Sequence, residues 1–336
     1  MADPLRMIVV GAGRGQTHAR SFLRVPEKFE FAGLVDVDAE RLGGALEQLG
    51  LSADLGYDSF DAALDASDCD GVVIATWARS HDDLVQQALM AGKHVMVEKP
   101  LTLLLAPALR LTALAEERDL KMVVTTQWRY LPGQRTVRRL LTENVHGEPQ
   151  TGHMLSYKAR GGEYPDSEHS QLWQMTVHEI DSLISMVNRR VVEVYGHSSR
   201  PPKTAWRRES TVTAEITFES GAHFALVSTS DARVHGVEFR AECERAAVVL
   251  RDTKSFGGDE QVLVGTDRSI GLEPQALDFE LSDRRELDVR VAESFADWVS
   301  GGPEPETSAR NHLQILATLN GIIDSGDTGR PVQIDV

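Results

Sequence analysis

Gly11-Ala12-Gly13-Arg14-Gly15-Gln16-Thr17-His18 directly follows an apolar run at residues 7–10 and opens a stretch with helical spacing that continues to residue 23. Glycines at a strand-to-helix turn let the backbone approach a pyrophosphate closely, and the free N–H groups of the helix N-terminus favour an anion. The octapeptide therefore predicts a dinucleotide site.

The glycine pattern departs from the usual G-x-G-x-x-G fingerprint in two places. Gln16 stands at the sixth position, where glycine or alanine is usual, and Gly15 comes one position early. Taken alone, such a loop also fits an ordinary strand-to-helix turn, which is the alternative interpretation.

An acidic residue supports the nucleotide interpretation. The second apolar run ends at Asp36, close to the roughly 20-residue spacing at which a carboxylate meets the adenosine ribose. A carboxylate there accepts the ribose hydroxyls and repels a 2'-phosphate, which favours NAD over NADP. Arg41 lies one helical turn further, within reach of the adenine side. The alternative is that Asp36 caps a turn, as Asp38 would cap the next helix.

The rhythm of apolar residues predicts an α/β fold for the first part of the chain. Short runs rich in Val and Ile alternate with amphipathic stretches, which is typical of βαβ units wound around a parallel sheet. The predicted strands are residues 7–10, 31–35, 71–75, 94–97 and 121–125, and the predicted helices are residues 39–49, 82–91 and 106–117. The sequence predicts a doubly wound parallel sheet in a first domain of residues 1–127.

The apolar spacing changes in the remaining residues, 128–336, which we interpret as a second, α+β domain. Residues 211–218 and 223–228 alternate in part and are joined by a hairpin signal, residues 219–222. A large, mostly antiparallel sheet is therefore expected, with helices at residues 136–141, 291–299 and 311–323.

The composition and the length indicate a globular chain with two domains. The 336 residues, 41% of them apolar, exceed the roughly 250 at which single cores stop growing. A net charge of -16 disfavours nucleic acid and anionic membrane surfaces as partners. No apolar run reaches the roughly 18 residues of a membrane span, and no signal-peptide pattern opens the chain. Two isolated cysteines and histidines without ligand spacing predict a cytoplasmic location and no metal.

A lysine follows the fourth predicted strand in the tripeptide Glu98-Lys99-Pro100. The carboxyl ends of parallel strands open onto the crevice that binds ligands in doubly wound folds. An ammonium there can donate to a substrate hydroxyl and stabilise an alkoxide. Pro100 restricts Lys99 to extended geometry and is compatible with a cis bond. The alternative is a surface lysine beside a proline turn.

Several segments, in order along the chain, carry a resemblance to a known family. They are the glycine loop with His18, residues 74–81, residues 91–100, residues 127–132, His178-Glu179-Ile180-Asp181, and residues 329–332. Over essentially its whole length the chain resembles the glucose-fructose oxidoreductase and inositol dehydrogenase family, Gfo/Idh/MocA. The resemblance implies a Rossmann domain, then an α/β domain whose open sheet carries the substrate pocket on one face and often packs against another subunit on the other.

The same resemblance implies the nucleotide contacts. The pyrophosphate would be held by Gly11, Gly13, Arg14, Gly15 and Gln16, and the ribose by Asp36. The nicotinamide half would be lined by Ala75, Thr76, Trp77, His81, Glu98, Lys99 and Gln127. Trp77 stands where proline is frequent in the family, and its indole either packs against the cofactor or fills a gap.

The catalytic pattern of the family is incomplete in this chain. Members use a histidine as general base, an aspartate four residues before it, and the lysine of Glu-Lys-Pro. The histidine is His178, but Gln174 stands at the aspartate position and cannot take up a proton. Imidazole still suits a base near neutral pH, and the alternative is that His178 is a core histidine with its hydrogen bonds satisfied. Asp181, three residues on, shares a helix face with His178 and either orients the ring or binds substrate; the alternative is that it balances the dipole of a helix N-terminus.

Substrate contacts are expected from two places. Arg160 and Tyr164 lie in a polar, glycine-bearing loop at residues 158–166, and Trp173 follows it. Trp128 and Arg129 come just after the domain boundary, where Arg129 either clamps a hydroxyl or carboxylate or forms a structural ion pair.

The sequence therefore predicts an NAD-dependent oxidoreductase that interconverts a secondary alcohol and a ketone on a sugar, cyclitol or related polyol. Lys99 and His178 would handle the hydroxyl proton. Two alternatives stay open: a hydrolase or lyase that uses NAD for transient oxidation, and a non-catalytic regulator that binds nucleotide and sugar. The resemblance, together with a sheet face that would otherwise be exposed, predicts a homodimer or homotetramer.

Overall fold

The structure is a computed structural model that describes residues 3–160, 167–254, 258–266, 268 and 271–336. The chain divides into two compact units. The first consists of residues 1–127 and 283–313, and the second of residues 128–282 and 314–336.

The first unit is built on a parallel sheet whose strands are apolar and buried on both faces. The strands are β1 (Leu5–Val10), β2 (Phe29–Val35), β3 (Gly56–Tyr57), β4 (Gly71–Ile74), β5 (His94–Val97) and β6 (Met122–Val124). Their order is β3-β2-β1-β4-β5-β6, the doubly wound order of dinucleotide-binding folds. The two-residue strand β3 was too short to give a periodic signal in the sequence.

The helices that connect these strands follow the apolar spacing. They are α1 (Gly15–Arg24), α2 (Ala39–Leu49), α3 (Phe60–Ala66), α4 (His81–Met90) and α5 (Leu105–Glu117). The Asp38 side chain accepts a hydrogen bond from the Arg41 amide and so caps α2, as the sequence predicts.

The register of the sheet brings the predicted nucleotide residues to one edge. Val10 pairs with Val35 on one side and with Ile74 on the other, and Ile74 pairs with Val97. The residues that come next in each strand are therefore neighbours at the carboxyl end of the sheet: Gly11, Asp36, Ala75 and Glu98. This edge is where doubly wound folds bind their ligands.

The second unit contains a mixed sheet that is mostly antiparallel. Its strands include β7 (Pro149–Ala159), β8 (Val191–Ser199), β9 (Thr211–Phe218), β10 (His223–Thr229), β11 (Asp231–Cys243), β12 (Ala247–Asp252), β13 (Glu260–Gly265) and β14 (Glu273–Gln275). With β15 (Val332–Gln333), the order is β14-β13-β12-β11-β7-β10-β9-β8-β15, and only β7 and β10 pair in parallel among these neighbours. The predicted fold class is confirmed for both parts of the chain.

Two helices pack on this sheet. Helix α6 (Pro132–Thr142) contacts β12 and β13, and helix α7 (Val177–Val187) contacts β7. Every residue of α7 is buried, including its polar side chains. A turn of π-helix, Leu172–Thr176, leads directly into α7. Such wider turns are frequent at functional sites.

The last part of the chain is shared between the units. Helix α8 (Glu286–Val299) packs on α1, and helix α9 (Ala309–Thr328) begins in the first unit and continues in the second. Residues 283–313 thus join the first unit, whereas the sequence-based division assigns them to the second domain. The physical reason is burial: α8 buries its own Val291, Ala292 and Phe295 and packs on α1, a contact between distant segments that local periodicity does not reveal.

Among the described helices, none is both long enough and apolar enough to cross a membrane.

Candidate active site

The glycine loop has the backbone geometry that a pyrophosphate requires. Gly11 has a φ of +103°, and a Cβ there would lie 2.5 Å from the carbonyl oxygen of Ala75. At Gly15 a Cβ would lie 2.6 Å from Cγ1 of Val9, so neither position accepts a side chain. Gly13 is exposed and has open space around it. Gly11 and Gly15 shape the turn, and Gly13 leaves its outer side open for a ligand.

Gln16 holds the loop where the fingerprint usually has a small residue. Its side-chain amide donates a hydrogen bond to the Ala12 carbonyl at 2.9 Å, and its oxygen accepts one from Arg20 at 3.2 Å. The departure from the glycine pattern therefore adds a side-chain contact that closes the turn.

Asp36 is buried and directed at the glycine loop. One carboxylate oxygen accepts a hydrogen bond from the Ala12 amide at 2.9 Å, and the other accepts one from the Asp38 amide at 2.9 Å. Arg41 contacts Asp38 at 3.1 Å and Asp36 at 3.5 Å. Asp36 therefore links the end of β2 to the loop, and Arg41 is engaged by the two acids rather than extended alone toward an adenine.

Glu98, at the end of β5, lies at the centre of a buried cluster. Oε1 of Glu98 accepts hydrogen bonds from Nε of Arg14 and from Nε2 of His18, both at 2.9 Å. Burial alone would raise the pKa of the Glu98 carboxyl. The hydrogen bond from His18 and the positive charges of Arg14 and Lys99 instead hold this pKa well below its ordinary value of 4.5. Glu98 is therefore a carboxylate that fixes the start of α1 to the end of β5.

Arg14 has a second acidic partner that comes from the far end of the chain. Its guanidinium contacts Oδ1 of Asp288, in α8, at 2.5 Å. Gln127 also contacts Arg14. Its side-chain nitrogen donates to the Thr125 carbonyl, and its side-chain oxygen accepts a hydrogen bond from Arg14 at 3.2 Å. Burial lowers the pKa of Arg14, but the charges of Glu98 and Asp288 raise it on balance. Three segments distant in sequence thus orient the arginine of the glycine loop.

The residues after β4 form a compact turn. His81 is fully buried, with Nδ1 2.8 Å from the Pro100 carbonyl oxygen and Nε2 3.2 Å from the Thr76 carbonyl oxygen. Burial lowers the pKa of the His81 imidazole. Ala75 is buried, whereas Trp77 is 59% exposed. Because it is so exposed, Trp77 does not fill a gap in the core, which leaves its indole face available to a ligand.

Lys99 follows Glu98 at the carboxyl end of β5. The Lys99–Pro100 bond is cis, and the Lys99 side chain is half-buried. His81 contacts the Pro100 carbonyl, so the tripeptide and the turn after β4 are held together. The structure thus places the predicted lysine in the same strand-end layer as Glu98.

In the second unit, His178 lies at the start of α7 and stacks on Trp128. The ring centroids are 4.2 Å apart and the planes differ by 18°. His178 is 6% exposed, and Trp128 is half-buried. The stack fixes the plane of the imidazole.

A buried ion pair lies next to this stack. Nζ of Lys158, in β7, is paired with Glu179, in α7, and lies 5.1 Å from the centroid of the Trp128 ring. Ser156 donates to Oε1 of Glu179 at 2.9 Å, and Ser228 donates to its Oε2 at 3.4 Å. Lys158 is 2% exposed and Glu179 is fully buried. Lys158 and Ala159 belong to β7, whereas the sequence indicates a loop from residue 158 onward.

Arg129 and Asp181 form a second buried pair. Nε of Arg129 donates to Oδ1 of Asp181 at 2.7 Å, and the two residues are 5% and 0% exposed. This contact favours the structural interpretation of both residues over a direct contact with substrate. Gln174 lies in the π-turn ahead of His178 and is half-buried among buried neighbours.

The remaining substrate candidates differ in exposure. Arg160 is exposed at the end of β7, and its guanidinium lies 3.0 Å from Sδ of Met175. Trp173 is buried in the π-turn. Tyr164 lies outside the described residues. Among the residues that are described, no group of three His, Cys, Asp or Glu side chains is arranged to hold a metal ion.

Both parts of the chain match models of one protein family. Residues 5–126 match the model described as "Oxidoreductase family, NAD-binding Rossmann fold", and residues 134–249 match the GFO/IDH/MocA C-terminal domain. The chain belongs to the GFO/IDH/MocA oxidoreductase family. The predicted resemblance, the oxidoreductase activity and NAD as the cofactor are confirmed by these matches.

Several GFO/IDH/MocA relatives are named dehydrogenases of sugars or cyclitols. D-apiose dehydrogenase of Paraburkholderia graminis is 27% identical over 91% of this chain and 83% of its own length. Inositol 2-dehydrogenase 3 of Saccharopolyspora erythraea is 30% identical over 65% of this chain and 64% of its own. A solved oxidoreductase of Agrobacterium radiobacter, in complex with NAD+, L-tartaric acid and magnesium, shares the fold with a TM-score of 0.84 at 19% identity, over 98% of both chains.

Sequence reasoning did not identify three residues that take part in the contacts described above: Asp288, Lys158 and His18. Asp288 lies 274 residues after Arg14 and contacts it, and the spacing of residues in the sequence does not predict such a pair. The sequence indicates a loop at Lys158, whereas β7 continues through it and directs its side chain to the buried Glu179. For His18 the sequence does carry a signal, its spacing of four residues from Arg14. Residues four apart on a helix share a face, and Arg14 and His18 both contact Glu98.

Proposed function

We propose that this protein uses NAD to interconvert a secondary alcohol and a ketone on a sugar, cyclitol or related polyol. Lys99 and His178 handle the hydroxyl proton. The names of the dehydrogenase relatives support this substrate class.

The observation that carries the proposal is the connection between Lys99 and the nucleotide loop. Lys99 directly follows Glu98, and Glu98 is bonded to Arg14 and His18, which lie in and just after the glycine loop. The lysine backbone is thereby held at a fixed place in the strand-end layer that shapes the nucleotide site. A surface lysine beside a proline turn would not need such a connection.

The residues present fit a bound dinucleotide. Gly13 leaves its outer side open, Gly11 and Gly15 exclude side chains, and Asp36 offers a carboxylate at the same edge. When bound, the nicotinamide of NAD exchanges a hydride with a substrate carbon. The protein then has to orient the hydroxyl and move its proton.

Lys99 and His178 suit two parts of that task. The ammonium of Lys99 donates a hydrogen bond to the substrate oxygen and stabilises negative charge on it. The imidazole of His178 is the side chain best suited to accept a proton near neutral pH. Gln174 can hydrogen-bond to substrate but cannot take part in proton transfer.

The test is a screen of sugars, cyclitols and polyols with NAD and with NADP, followed by the absorbance of the reduced nicotinamide. We expect turnover with NAD and at least one compound of this class, and loss of turnover in Lys99→Met. No turnover with any of these compounds, in either direction, would contradict the proposal.

Two other outcomes identify the alternatives. Chemical conversion of a substrate with no net reduction of NAD would indicate a hydrolase or lyase that oxidises its substrate transiently. Tight binding of nucleotide and sugar without turnover would indicate a regulator, and the amide of Gln174 in place of an acid favours that outcome over the hydrolase. A Gln174→Asp variant that gains large activity would support the regulator.

We further propose that the protein forms a homodimer or homotetramer through the outer face of the mixed sheet. On β7 the buried Met154, Ser156 and Lys158 alternate with the half-buried Leu155 and the 40%-exposed Tyr157. Tyr195, on β8, is 49% exposed. Light scattering after size-exclusion chromatography should give an oligomeric mass, and Leu155→Asp should reduce it to that of a monomer.

A cytoplasmic location is part of the same proposal. Both cysteines, Cys69 and Cys243, are free thiols, which suits a reducing compartment. Fractionation of the native cells, followed by detection of the protein, would test the location.

A further inference from the structure

The base of the proposed reaction needs a group that fixes its ring. A histidine base is usually oriented by an acid. Gln174 stands at the position where the catalytic pattern of the GFO/IDH/MocA family has an aspartate. If His178 acts as the base, another contact has to hold its imidazole plane. The inference that follows rests on the proposed function.

Trp128 makes that contact. Its ring lies 4.2 Å from the His178 ring with an angle of 18° between the planes, so the two are stacked face to face. A stack of this kind restricts rotation of the imidazole about its side-chain bonds, because tilting either ring loses contact area.

Trp128 is in turn held by a group that cannot easily move. Nζ of Lys158 lies 5.1 Å from the centre of the Trp128 ring, and Lys158 is paired with Glu179 inside the protein. Ser156 and Ser228 bond to the same carboxylate. Moving Lys158 away would leave the buried Glu179 carboxylate without its counter-charge, which is strongly unfavourable.

Two acids on the helix of His178 are each paired with a basic side chain. Glu179 and Asp181, on the same helix as His178, are paired with Lys158 of β7 and Arg129, the residue after Trp128. Each of these two ion pairs sums to no net charge, and each ties α7 to a neighbouring segment of the chain.

We propose that Trp128 is a positioning residue that sets the plane of the His178 imidazole, and that the buried Lys158–Glu179 pair holds Trp128 in place. The stack takes over the orienting task of the acid that Gln174 replaces. Trp128 thus acts through His178, not as the substrate contact that the sequence suggests.

Proton NMR tests the stack without any need for turnover. The C2–H resonance of His178, identified by its loss in His178→Gln, should be shifted upfield by the ring current of Trp128. The shift should persist in Trp128→Phe, which keeps an aromatic face, and disappear in Trp128→Leu. A His178 resonance at the ordinary position in the unaltered protein would overturn the proposal, even if no polyol were ever turned over.

Kinetics test the consequence in the active protein. Trp128→Leu should lower kcat about 10- to 100-fold with little change in KM, because a misplaced base slows the proton transfer. Trp128→Phe should restore kcat to within about threefold, since an aromatic ring still faces the imidazole. An unchanged kcat in Trp128→Leu, or an equal loss in both variants, would overturn the positioning role. Thermal unfolding of both variants separates loss of fold from loss of orientation.

Discussion

The carboxylate of Asp36 accepts a hydrogen bond from the backbone amide of Ala12 at 2.9 Å, inside the first unit. The acid expected to select the cofactor is therefore also a support of the glycine loop. Both roles follow from the register of the sheet, in which the strands that precede Gly11 and Asp36 are paired to their last residues.

This double role makes a prediction for substitutions of Asp36. Asp36→Ala removes the acceptor of a buried amide, which costs about 1–3 kcal/mol of stability, and also removes the carboxylate that we expect to meet the ribose. We expect NAD to bind at least about tenfold more weakly. Asp36→Asn keeps one acceptor oxygen and should lose less stability, while both variants should bind NADP better relative to NAD.

Titration of tryptophan fluorescence with each nucleotide, together with urea unfolding, measures both effects. Unchanged NAD affinity in both variants would mean that Asp36 only supports the loop.

Local spacing sufficed to predict much of the fold. The boundaries of α2 and β9 agree with the predicted residues 39–49 and 211–218, because each element carries its own periodic apolar face. The placement of residues 283–313 in the first unit was not predictable in this way. The apolar face of α8 shows that the helix is amphipathic, but it does not show which sheet or helix it covers.

The site was predictable to the extent that it depends on strand ends. Gly11, Asp36 and Glu98 each follow a strand, so the parallel sheet alone brings them together. Contacts between distant side chains carry no such local signal. The pair of Arg14 with Asp288 and the stack of Trp128 on His178 emerge only from the folded chain.

Two glycines of the same loop should respond differently to alanine. Gly11→Ala places a Cβ 2.5 Å from a backbone oxygen at a φ of +103°, so it should cost at least about 1–3 kcal/mol of folding free energy. Gly13→Ala meets nothing within 4 Å, so the fold should keep its stability while NAD binding weakens. Urea unfolding and nucleotide titration of the two variants check this contrast. Equal destabilisation by both substitutions would contradict the assignment of Gly13 to the ligand.

The contact from α8 to the glycine loop should affect nucleotide binding. Asp288→Asn removes one of two anionic partners of Arg14, so the guanidinium is less well oriented. We expect NAD to bind about 3- to 10-fold more weakly, within the range of single charged contacts. Asp297, an exposed acid of the same helix that pairs with Lys28, offers a matched control in Asp297→Asn. Equal effects of the two substitutions would point to a general charge effect and not to the loop.

The buried carboxylate of Glu98 predicts a dependence of stability on pH. The pKa of Glu98 lies well below 4.5 in the folded chain, so the unfolded chain binds the proton more readily. The contribution of Glu98 is therefore complete above about pH 4.5 and is lost as the pH falls through its folded pKa. Urea unfolding without nucleotide, between pH 7 and pH 3, measures this effect. In Glu98→Gln the free energy of unfolding should fall less steeply as the pH is lowered. Glu30→Gln, at an acid whose side chain is 58% exposed, should keep the slope of the unaltered protein.

Lys99 offers the sharpest test of the proposed chemistry, because its role can be separated from cofactor binding. Lys99→Met keeps most of the aliphatic chain and removes the ammonium, so we expect kcat/KM for the polyol to fall about 10²- to 10⁴-fold while NAD still binds. Lys99→Arg keeps a positive charge but presents a planar fork, and it should recover only part of the loss. Lys254→Met, at a lysine whose side chain is 71% exposed, should leave the rate unchanged. A Lys99→Met enzyme that retains full activity would transfer the whole proton-handling role to His178, and an enzyme that no longer binds NAD would make Lys99 part of the nucleotide site instead.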